Sequence, residues 1–253
     1  MTTLCPRTIS CVLLPLLSLF LSVGSRAGES PSFPPAATFS IVARDLETGE
    51  LGIAVQSKIV AVGSIVPYGS PDGVVATQAW ANVRFGPIGL ALLGAGHSPQ
   101  AILDLLLEAD PGRDQRQCAI LDKEGGIAVA TGKGCSPWAG HLVRETFSVQ
   151  GNLLEGPKVL EAMASAFERA EGVLAERLLA SLRAGQEAGG DRRGKQSAAL
   201  LIVRKGWGYG GGDHRARDLR VDDHPNPIEE LTRVYELHRA LFPRPITLPE
   251  KAE

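Results

Sequence analysis

The chain has little of the residue types that most often reveal a protein's chemistry. Of its 253 residues, 4 are cysteine, 3 are tryptophan and 2 are methionine, and 28 acidic residues nearly balance 26 basic ones. The near-neutral charge argues against nucleic acid as a partner, and the few aromatic residues argue against a surface on which single strands stack. Neither an HExxH motif nor paired cysteines at zinc-binding spacing occurs, so we expect no metal and no organic cofactor.

Long apolar runs are also scarce, and the clearest one lies near the N-terminus. Arg7 precedes an apolar run over residues 9–23, and Ser25-Arg26-Ala27 follows with small residues at the positions that signal peptidase reads. The run is shorter than the roughly 20 residues that cross a bilayer. We therefore predict a signal peptide over residues 1–27, export to the periplasm or the extracellular space, and no stable membrane insertion once the signal is removed.

Proline and glycine mark residues 28–37 as a linker or pro-segment, since this stretch has no apolar period. Residues 38–242 have the right size for one domain, and residues 243–253 form a tail. Two of the four cysteines lie in the signal peptide, which leaves Cys118 and Cys135 in an oxidising compartment. The sequence leaves open whether these two form a disulfide.

The apolar periodicity predicts an α+β fold. Alternating β-branched residues predict strands over 38–44 and 51–57, joined by a turn at Glu47-Thr48-Gly49-Glu50. Other strands are predicted at 65–66, 74–78, 118–121, 127–131, 147–150, 197–204 and 219–221. Helices are predicted around 89–93, at 99–108 after a Ser98 cap, at 157–186 with a break near Gly172, and from Asn226 onward.

Thr38 is the candidate catalytic nucleophile because it opens the folded domain. If the bond after Ala37 were cut, the freed α-amine would lie beside the hydroxyl of the same residue and could take its proton. One residue would then supply both nucleophile and base, which is the chemistry of N-terminal nucleophile (Ntn) hydrolases.

The first hairpin places a lysine near that threonine. With the turn at Thr48-Gly49, Thr38 lies across from the segment that contains Ser57 and Lys58. An ammonium group there would disfavour the protonated amine and would stabilise the oxyanion of a tetrahedral intermediate. The alternative is an ordinary lysine in solvent at the end of a strand.

Six motifs, in one order along the chain, resemble the family known as domain of unknown function 1028. They are residues 38–45 (TFSIVARD), 54–58 (AVQSK), 76–79 (ATQA), 149–152 (VQGN), 189–194 (GGDRRG) and 219–225 (LRVDDHP). The resemblance implies the Ntn-hydrolase superfamily and a four-layer αββα sandwich of two antiparallel sheets, but no substrate. Members of the family often begin Met-Thr-Phe-Ser, and this chain differs by its long leader.

Further polar residues are candidates for the same site. Gln78 and Asn82 flank one strand end, and Gln150 and Asn152 end another. The Asn152 amide is expected to take part in catalysis. Substrate binding is expected from Gln78, Asn82, Gln150 and Ser57. The alternative is that the amide side chains only form hydrogen bonds to the backbone of nearby loops. Substrate contacts are also expected from the glycine-bounded basic turn that contains Asp191, Arg192 and Arg193. The two guanidinium groups there would clamp a substrate carboxylate. The alternative is an ordinary solvated turn.

Three rival constellations have weaker support. Cys135 and His141 would make a thiol nucleophile and its base. A group of aspartate and histidine residues over 213–224 would gather a metal. The glycine-rich residues 206–212 lead into a strand and so lack the helix N-terminus of a phosphate loop; Trp207 and Tyr209 there are expected near the mouth of the site.

These observations predict an exported amidohydrolase that cleaves a small-molecule amide or a short peptide through Thr38. Signal peptidase would cut after Ala27, so a second cleavage of the Ala37–Thr38 bond, by attack of the Thr38 hydroxyl itself, is expected to bare the amine. The alternatives are a secreted binding domain without catalysis and a hydrolase that uses Cys135. The oligomeric state stays open, and a homo-oligomer is compatible with the sequence.

Overall fold

Two antiparallel sheets form the centre of the fold in the computed structural model, which describes Met1 and residues 38–243. The described strands are β1 (Thr38–Arg44), β2 (Leu51–Ser57), β3 (Pro67–Ser70), β4 (Gly73–Ala79), β5 (Arg116–Asp122), β6 (Ile127–Thr131), β7 (Gly140–Val143), β8 (Phe147–Asn152), β9 (Ser197–Val203) and β10 (Arg215–Val221). The described helices are α1 (Phe85–Gly94), α2 (Pro99–Glu108), α3 (Lys158–Arg169), α4 (Leu174–Glu187) and α5 (Pro227–Leu241). The predicted α+β class with antiparallel sheets is confirmed.

Strand β1 lies in the middle of the larger sheet. The strand order is β10-β9-β2-β1-β8-β7 in the six-stranded sheet and β3-β4-β5-β6 in the four-stranded one. Thr38 pairs with Ser57 on β2 and with Asn152 on β8. The first residue of β1 is therefore flanked by a strand on each side.

The β1–β2 turn fixes this register through local chemistry. The Asp45 carboxylate accepts hydrogen bonds from the backbone N–H groups of Glu47 and Thr48 and from the Thr48 hydroxyl, at 3.1, 2.8 and 2.9 Å. Gly49 has φ of 69°, a conformation that glycine adopts without strain. The turn thus sits where the sequence predicts it, and both strand boundaries agree with the prediction.

Helices cover the outer face of each sheet. Helices α1 and α2 pack on the four-stranded sheet, and α3, α4 and α5 pack on the six-stranded sheet. Alternate residues of β1 reflect this arrangement, since Phe39, Ile41 and Ala43 join the core under the helices whereas Val42 joins the core between the sheets. The order across the fold is helices, sheet, sheet, helices.

The layer between the sheets changes character along the strands. At the Arg44 end of β1 it is apolar and includes Val42, Ile53 and Leu121. At the Thr38 end the inward-facing positions are polar and are fully or almost fully buried: Thr38, Ser40, Ser57, Gln78, Gln117, Gln150, Asn152 and Ser197. Buried polar side chains cost stability unless they are hydrogen-bonded, so this end must hold a connected network.

Every predicted element but one is present, although α1 begins at Phe85 and β10 at Arg215, earlier than the predicted 89 and 219. Residues 65–66 are not a strand but follow a short 3-10 helix at Val62–Ser64. They are apolar because they pack in the core between the sheets, and this apolar pair led to the wrong prediction. Strands β3 and β7 were not predicted, since they are short and carry proline or glycine. Gly172, with φ of 93°, separates α3 from α4 as expected, and the Ser98 hydroxyl caps α2.

The predicted signal peptide and linker, and most of the C-terminal tail, lie outside the described residues. Among the residues that are described, no helix has both the length and the apolar character needed to span a bilayer. The described residues from Thr38 onward belong to one compact unit.

A methyl group on Gly86 should disturb the packing of α1. Its Cβ would lie 2.2 Å from Cγ of Tyr68 on β3, so the helix or the strand would have to move. We expect Gly86→Ala to lower the free energy of unfolding by about 1–3 kcal/mol in urea titrations. Gly94→Ala is the matched control in the same helix, because its Cβ would meet only Asp72 Oδ2 at 3.5 Å. Equal stability of the two variants would contradict this account of the contact.

Candidate functional site

The Thr38 hydroxyl lies at the polar end of the layer between the sheets. Its Oγ1 donates to Ser57 Oγ at 3.1 Å, and the residue has no exposed surface. Thr38 and Ser57 are register partners, and Asn152 pairs with Thr38 from the other side. The predicted grouping of Thr38, Ser57 and Asn152 is therefore present, although the three come from separate strands.

A chain of hydrogen bonds joins the two sheets beside Thr38. Ser40 Oγ donates to Gln78 Oε1 at 2.6 Å and accepts from Gln150 Nε2 at 2.7 Å. Gln150 Oε1 in turn accepts from Ser148 at 2.9 Å. Because Gln78 lies on β4 and the other three lie on the six-stranded sheet, the network bridges the sheets. Gln78 and Gln150 were both expected at the site, and the structure brings them together.

Gln117 on β5 is the centre of this network. Its Oε1 accepts from Gln78 Nε2 at 2.8 Å and from Asn152 Nδ2 at 3.2 Å. Its Nε2 lies within hydrogen-bond distance of Thr131 Oγ1, Gly140 O and Gly151 O, at 2.9, 3.0 and 2.9 Å. Sequence reasoning missed Gln117 and Ser40. The signal that could have found them is strand alternation, since each shares a face with inward-pointing residues of its own strand.

The network presents neutral donors rather than charges. Asn152 holds its amide toward Gln117 while its backbone is fixed beside Thr38. An amide in this position is a hydrogen-bond donor of the kind that stabilises an oxyanion, provided that the reacting oxygen comes within reach.

Lys58 follows Ser57 directly, but its side chain is exposed, in contrast to the buried Thr38. The hydrogen bond described for Lys58 is made by its backbone N–H, which donates to Asp191 Oδ2 at 3.0 Å. The structure therefore places the Lys58 backbone directly after Ser57, and the Lys58 side chain is exposed.

Asp191 is almost completely buried and organises the loop before β9. Its carboxylate also accepts from the backbone N–H of Arg193 at 2.9 Å and receives the Arg193 guanidinium through Nε and Nη2, at 3.2 and 3.0 Å. The Arg192 guanidinium reaches instead to the carbonyl of Pro137. The two arginines thus diverge, one toward Asp191 and the other toward a different loop, rather than forming the paired clamp that the sequence suggested.

Asn82 lies in a separate cluster at the turn after β4. Its side chain donates to Asp110 Oδ2 at 2.9 Å and accepts from the backbone N–H of Arg84 at 3.2 Å. Asp110 also accepts from Arg116 Nε at 2.7 Å. These contacts are those of a structural turn, and none of them reaches the network around Thr38.

The two described cysteines are both free thiols. Burial raises the pKa of Cys118 to about 12. Burial also raises the pKa of Cys135, whose thiol donates to the carbonyl of Arg116 at 3.3 Å. His141 Nδ1 lies 2.9 Å from Thr131 Oγ1, and loss of water around the ring lowers its pKa. These contacts direct Cys135 and His141 to different partners.

The other rival groupings receive little support. Among the described residues, no three histidine, cysteine, aspartate or glutamate side chains come together as metal ligands. The glycine-rich segment lies between β9 and β10, at the Arg44 end of β1, because Val203 pairs with Leu51 and Leu51 with Arg44. The expectation that Trp207 and Tyr209 lie at the mouth of the Thr38 site is therefore wrong.

The comparisons with known proteins agree with the motifs. A family model described as a family of unknown function, DUF1028, matches residues 38–231. The chain belongs to the DUF1028 family. It is similar to the crystal structure of protein SPO2555 from Silicibacter pomeroyi, a DUF1028 structure, with 32% identity and a TM-score of 0.73. That similarity covers 80% of this chain and 89% of the other. A comparison with curated proteins found no match. The match begins at Thr38, the residue that opens β1 in this DUF1028 chain.

Removal of the Gln117 amide should loosen the contact between the sheets. Gln117→Leu would leave the Gln78 and Asn152 donors without their shared acceptor in a buried place, which we expect to cost about 3 kcal/mol or more in urea unfolding. Gln100→Leu is the matched control, because Gln100 is exposed and its side-chain amide donates to Asp104 at the surface. If both variants lose equally little stability, the network does not hold the sheets together.

Asp110 should make stability dependent on pH. The Arg116 hydrogen bond lowers the pKa of Asp110 from 3.8 to about 2. The folded state therefore favours the ionised carboxylate, and this stabilisation is present above pH 4 and is lost as pH falls toward 2. We expect Asp110→Asn to lower the melting temperature at pH 7 and to differ little from the parent near pH 2. A constant difference across that range would be inconsistent with this linkage.

Proposed function

We propose that the protein is an exported amidohydrolase of the Ntn type, with Thr38 as its nucleophile. The observation that carries the proposal is the position of Thr38, which begins strand β1 inside the six-stranded sheet, with its buried hydroxyl bonded to Ser57 and with Asn152 as its register partner. A threonine at the head of a strand needs only the cleavage of one peptide bond to become an N-terminal nucleophile. The order of helices, sheet, sheet, helices is the architecture expected of that superfamily.

In the proposed reaction the free α-amine of Thr38 takes the proton of its own hydroxyl while Oγ1 attacks the amide carbonyl. The tetrahedral intermediate collapses when the ammonium returns the proton to the leaving nitrogen, and an ester on Thr38 remains. A water molecule, deprotonated by the same amine, then hydrolyses the ester and restores the hydroxyl. No metal or redox group is needed for these steps to balance.

Three other residues are proposed to stabilise the developing negative charge or to position the site. The Asn152 amide is the proposed donor to the oxyanion, since the backbone of Asn152 lies beside that of Thr38. The exposed Lys58 ammonium, on the residue after Ser57, is proposed to favour the neutral amine and an anionic intermediate through its electric field. Asp191 is a positioning residue, because it holds the backbone of Lys58 directly after Ser57.

Maturation is part of the proposal. With residues 28–37 still attached, the amine of Thr38 is an amide nitrogen and Thr38 is buried. We propose that Oγ1 attacks the carbonyl of Ala37 and that the resulting ester is hydrolysed, which frees the Thr38 amine. Export would be completed by signal peptidase cleavage after Ala27.

Substitution of Thr38 tests this chemistry without a known substrate. A purified chain beginning at Gly28 should shorten by itself to Thr38, as read by mass spectrometry of the intact protein and sequencing of its N-terminus. Thr38→Ala should stay long and lose amide hydrolysis by about 10³-fold or more, whereas Thr38→Ser should retain part of both activities. A wild-type chain that stays long and yet hydrolyses amides would exclude the free-amine mechanism. A long and inactive chain would favour a secreted binding domain.

A hydrolase based on Cys135 is the second candidate, because Cys135 and His141 line one common cavity. The raised pKa of Cys135 means that its thiol stays protonated at neutral pH, so a rate that depends on its thiolate should keep rising above pH 9. A rate that depends on the Thr38 amine should instead level off above its ordinary pKa of about 8. The pH–rate profile, together with the activity of Cys135→Ser, separates the two mechanisms.

A further inference from the structure

A cavity of about 490 Å³ opens where the edge strand β6 of one sheet meets the edge strand β7 of the other. Its walls include Thr131 and His141 on the strands and Pro137 and Trp138 on the loop between them. We call it the β6–β7 cleft. It lies on the side of the fold to which the polar network around Gln117 extends.

The strand register gives the distance from this cleft to the nucleophile. Gly140 on β7 pairs with Gly151 on β8, and Gly151 pairs with Phe39 on β1, the residue after Thr38. Neighbouring strands lie about 4.8 Å apart, so the cleft begins about 10 Å from the backbone of Thr38. That distance is spanned by a substrate group attached a few bonds from the scissile carbonyl.

The polar wall of the cleft is hydrogen-bonded to the candidate site. Gln117 Nε2 lies 2.9 Å from Thr131 Oγ1, which lies 2.9 Å from His141 Nδ1. On the other side, Gln117 Oε1 accepts from Asn152 Nδ2 at 3.2 Å. A ligand against His141 would therefore contact a chain of side chains that ends at the neighbour of Thr38.

The apolar part of the lining is Trp138, which packs against the core that includes Phe39, on the helix-covered side of the six-stranded sheet. A Cβ atom on Gly140 would lie 2.7 Å from the Trp138 indole, so the ring is packed directly over the backbone of β7. The carbonyl of Trp138 accepts from the backbone N–H of Leu154 at 3.0 Å, and the carbonyl of Pro137 accepts from Arg192. Arg192 thus has a role that the paired clamp did not suggest, since it fastens this wall to the loop that contains Asp191.

We propose that the β6–β7 cleft is the specificity pocket of the Thr38 site and that it takes an aromatic group of the amide substrate. The proposal rests on the proposed function of Thr38. An aromatic ring would lie against the Trp138 indole and the Pro137 ring, where offset or edge-to-face contact between rings is favourable. The polar wall at Thr131 and His141 would receive the amide or carboxylate next to that ring.

The test uses the protein as purified, with its N-terminus sequenced, and three substrates that each release an amino acid. Acetylglycine has no aromatic group, phenylacetylglycine has one on the acyl side, and acetylphenylalanine has one on the amine side. We expect one of the two aromatic compounds to have a KM about 10-fold or more below that of acetylglycine, and the better one identifies which side enters the cleft.

Variants of Trp138 make the test specific. Trp138→Ala should raise the KM of the preferred aromatic compound about 10-fold with kcat changed less than about 3-fold, and Trp138→Phe should restore most of the difference. Trp207→Ala is the matched control, since Trp207 lies near the opposite end of β1, and it should leave the preference unchanged. Hydrolysis with the same KM ratio in parent and Trp138→Ala would overturn the pocket while leaving the Thr38 mechanism intact.

Binding is measured as well, so that the result does not depend on turnover. Calorimetric titration of the three compounds should show tighter binding of the aromatic ones to the parent than to Trp138→Ala, and no such difference would overturn the proposal. Failure of the Thr38 mechanism is detected separately, by N-terminal sequencing. In that case the purified protein would begin before Thr38, whatever the titrations show.

Discussion

The hydrogen bonds of Gln117 are the constraint on which the geometry of the candidate site depends. A buried amide that loses its partners carries the full cost of its removal from water. Gln117 finds those partners on both sheets, in Gln78 on its own sheet and in Asn152 and two backbone carbonyls on the other. The two sheets can therefore meet at one spacing and one register at this end, and that register fixes what surrounds Thr38.

The two ends of the six-stranded sheet are stabilised by different kinds of polar contact. At the far end charged side chains pair, as in the buried Arg204 with Glu50 at 3.6 Å and the half-buried Arg177 of α4 with Asp45 at 3.5 Å. Burial there raises the pKa of Glu50, because removal from water disfavours the charged carboxylate. At the Thr38 end, hydroxyl and amide groups do the pairing between the sheets. Neutral donors held in a fixed arrangement suit a reaction in which negative charge develops only transiently.

Asp191 connects the candidate site to its surroundings. It is the buried carboxylate that links the loop before β9 to the end of β2, and through Arg192 the same loop reaches the wall of the β6–β7 cleft. The basic turn that the sequence singled out for substrate binding thus connects the neighbours of Thr38 to the proposed specificity pocket. All of these elements lie within residues 38–231, which match the DUF1028 family model.

The sequence by itself determined the local features of this protein. The Glu47-Thr48-Gly49-Glu50 turn signal and the strand alternation predicted the first hairpin with the boundaries that the structure shows, and the same hairpin placed Ser57 opposite Thr38. Helix α2 and the break between α3 and α4 followed from Ser98 and Gly172 for equally local reasons. Each of these signals lies within a few residues of the element that it defines, so no knowledge of the rest of the fold was needed.

Only the tertiary structure decided which polar side chains meet. Strand alternation assigns Gln78, Gln117 and Gln150 to a face, but it does not tell which faces of distant strands lie opposite each other. The same limit explains why Asn82 joined Asp110 instead of the site and why Arg192 and Arg193 diverged. Pairing between strands far apart in sequence depends on the packing of the whole core, and that packing brought Gln117 to Asn152 and so built the surroundings of Thr38.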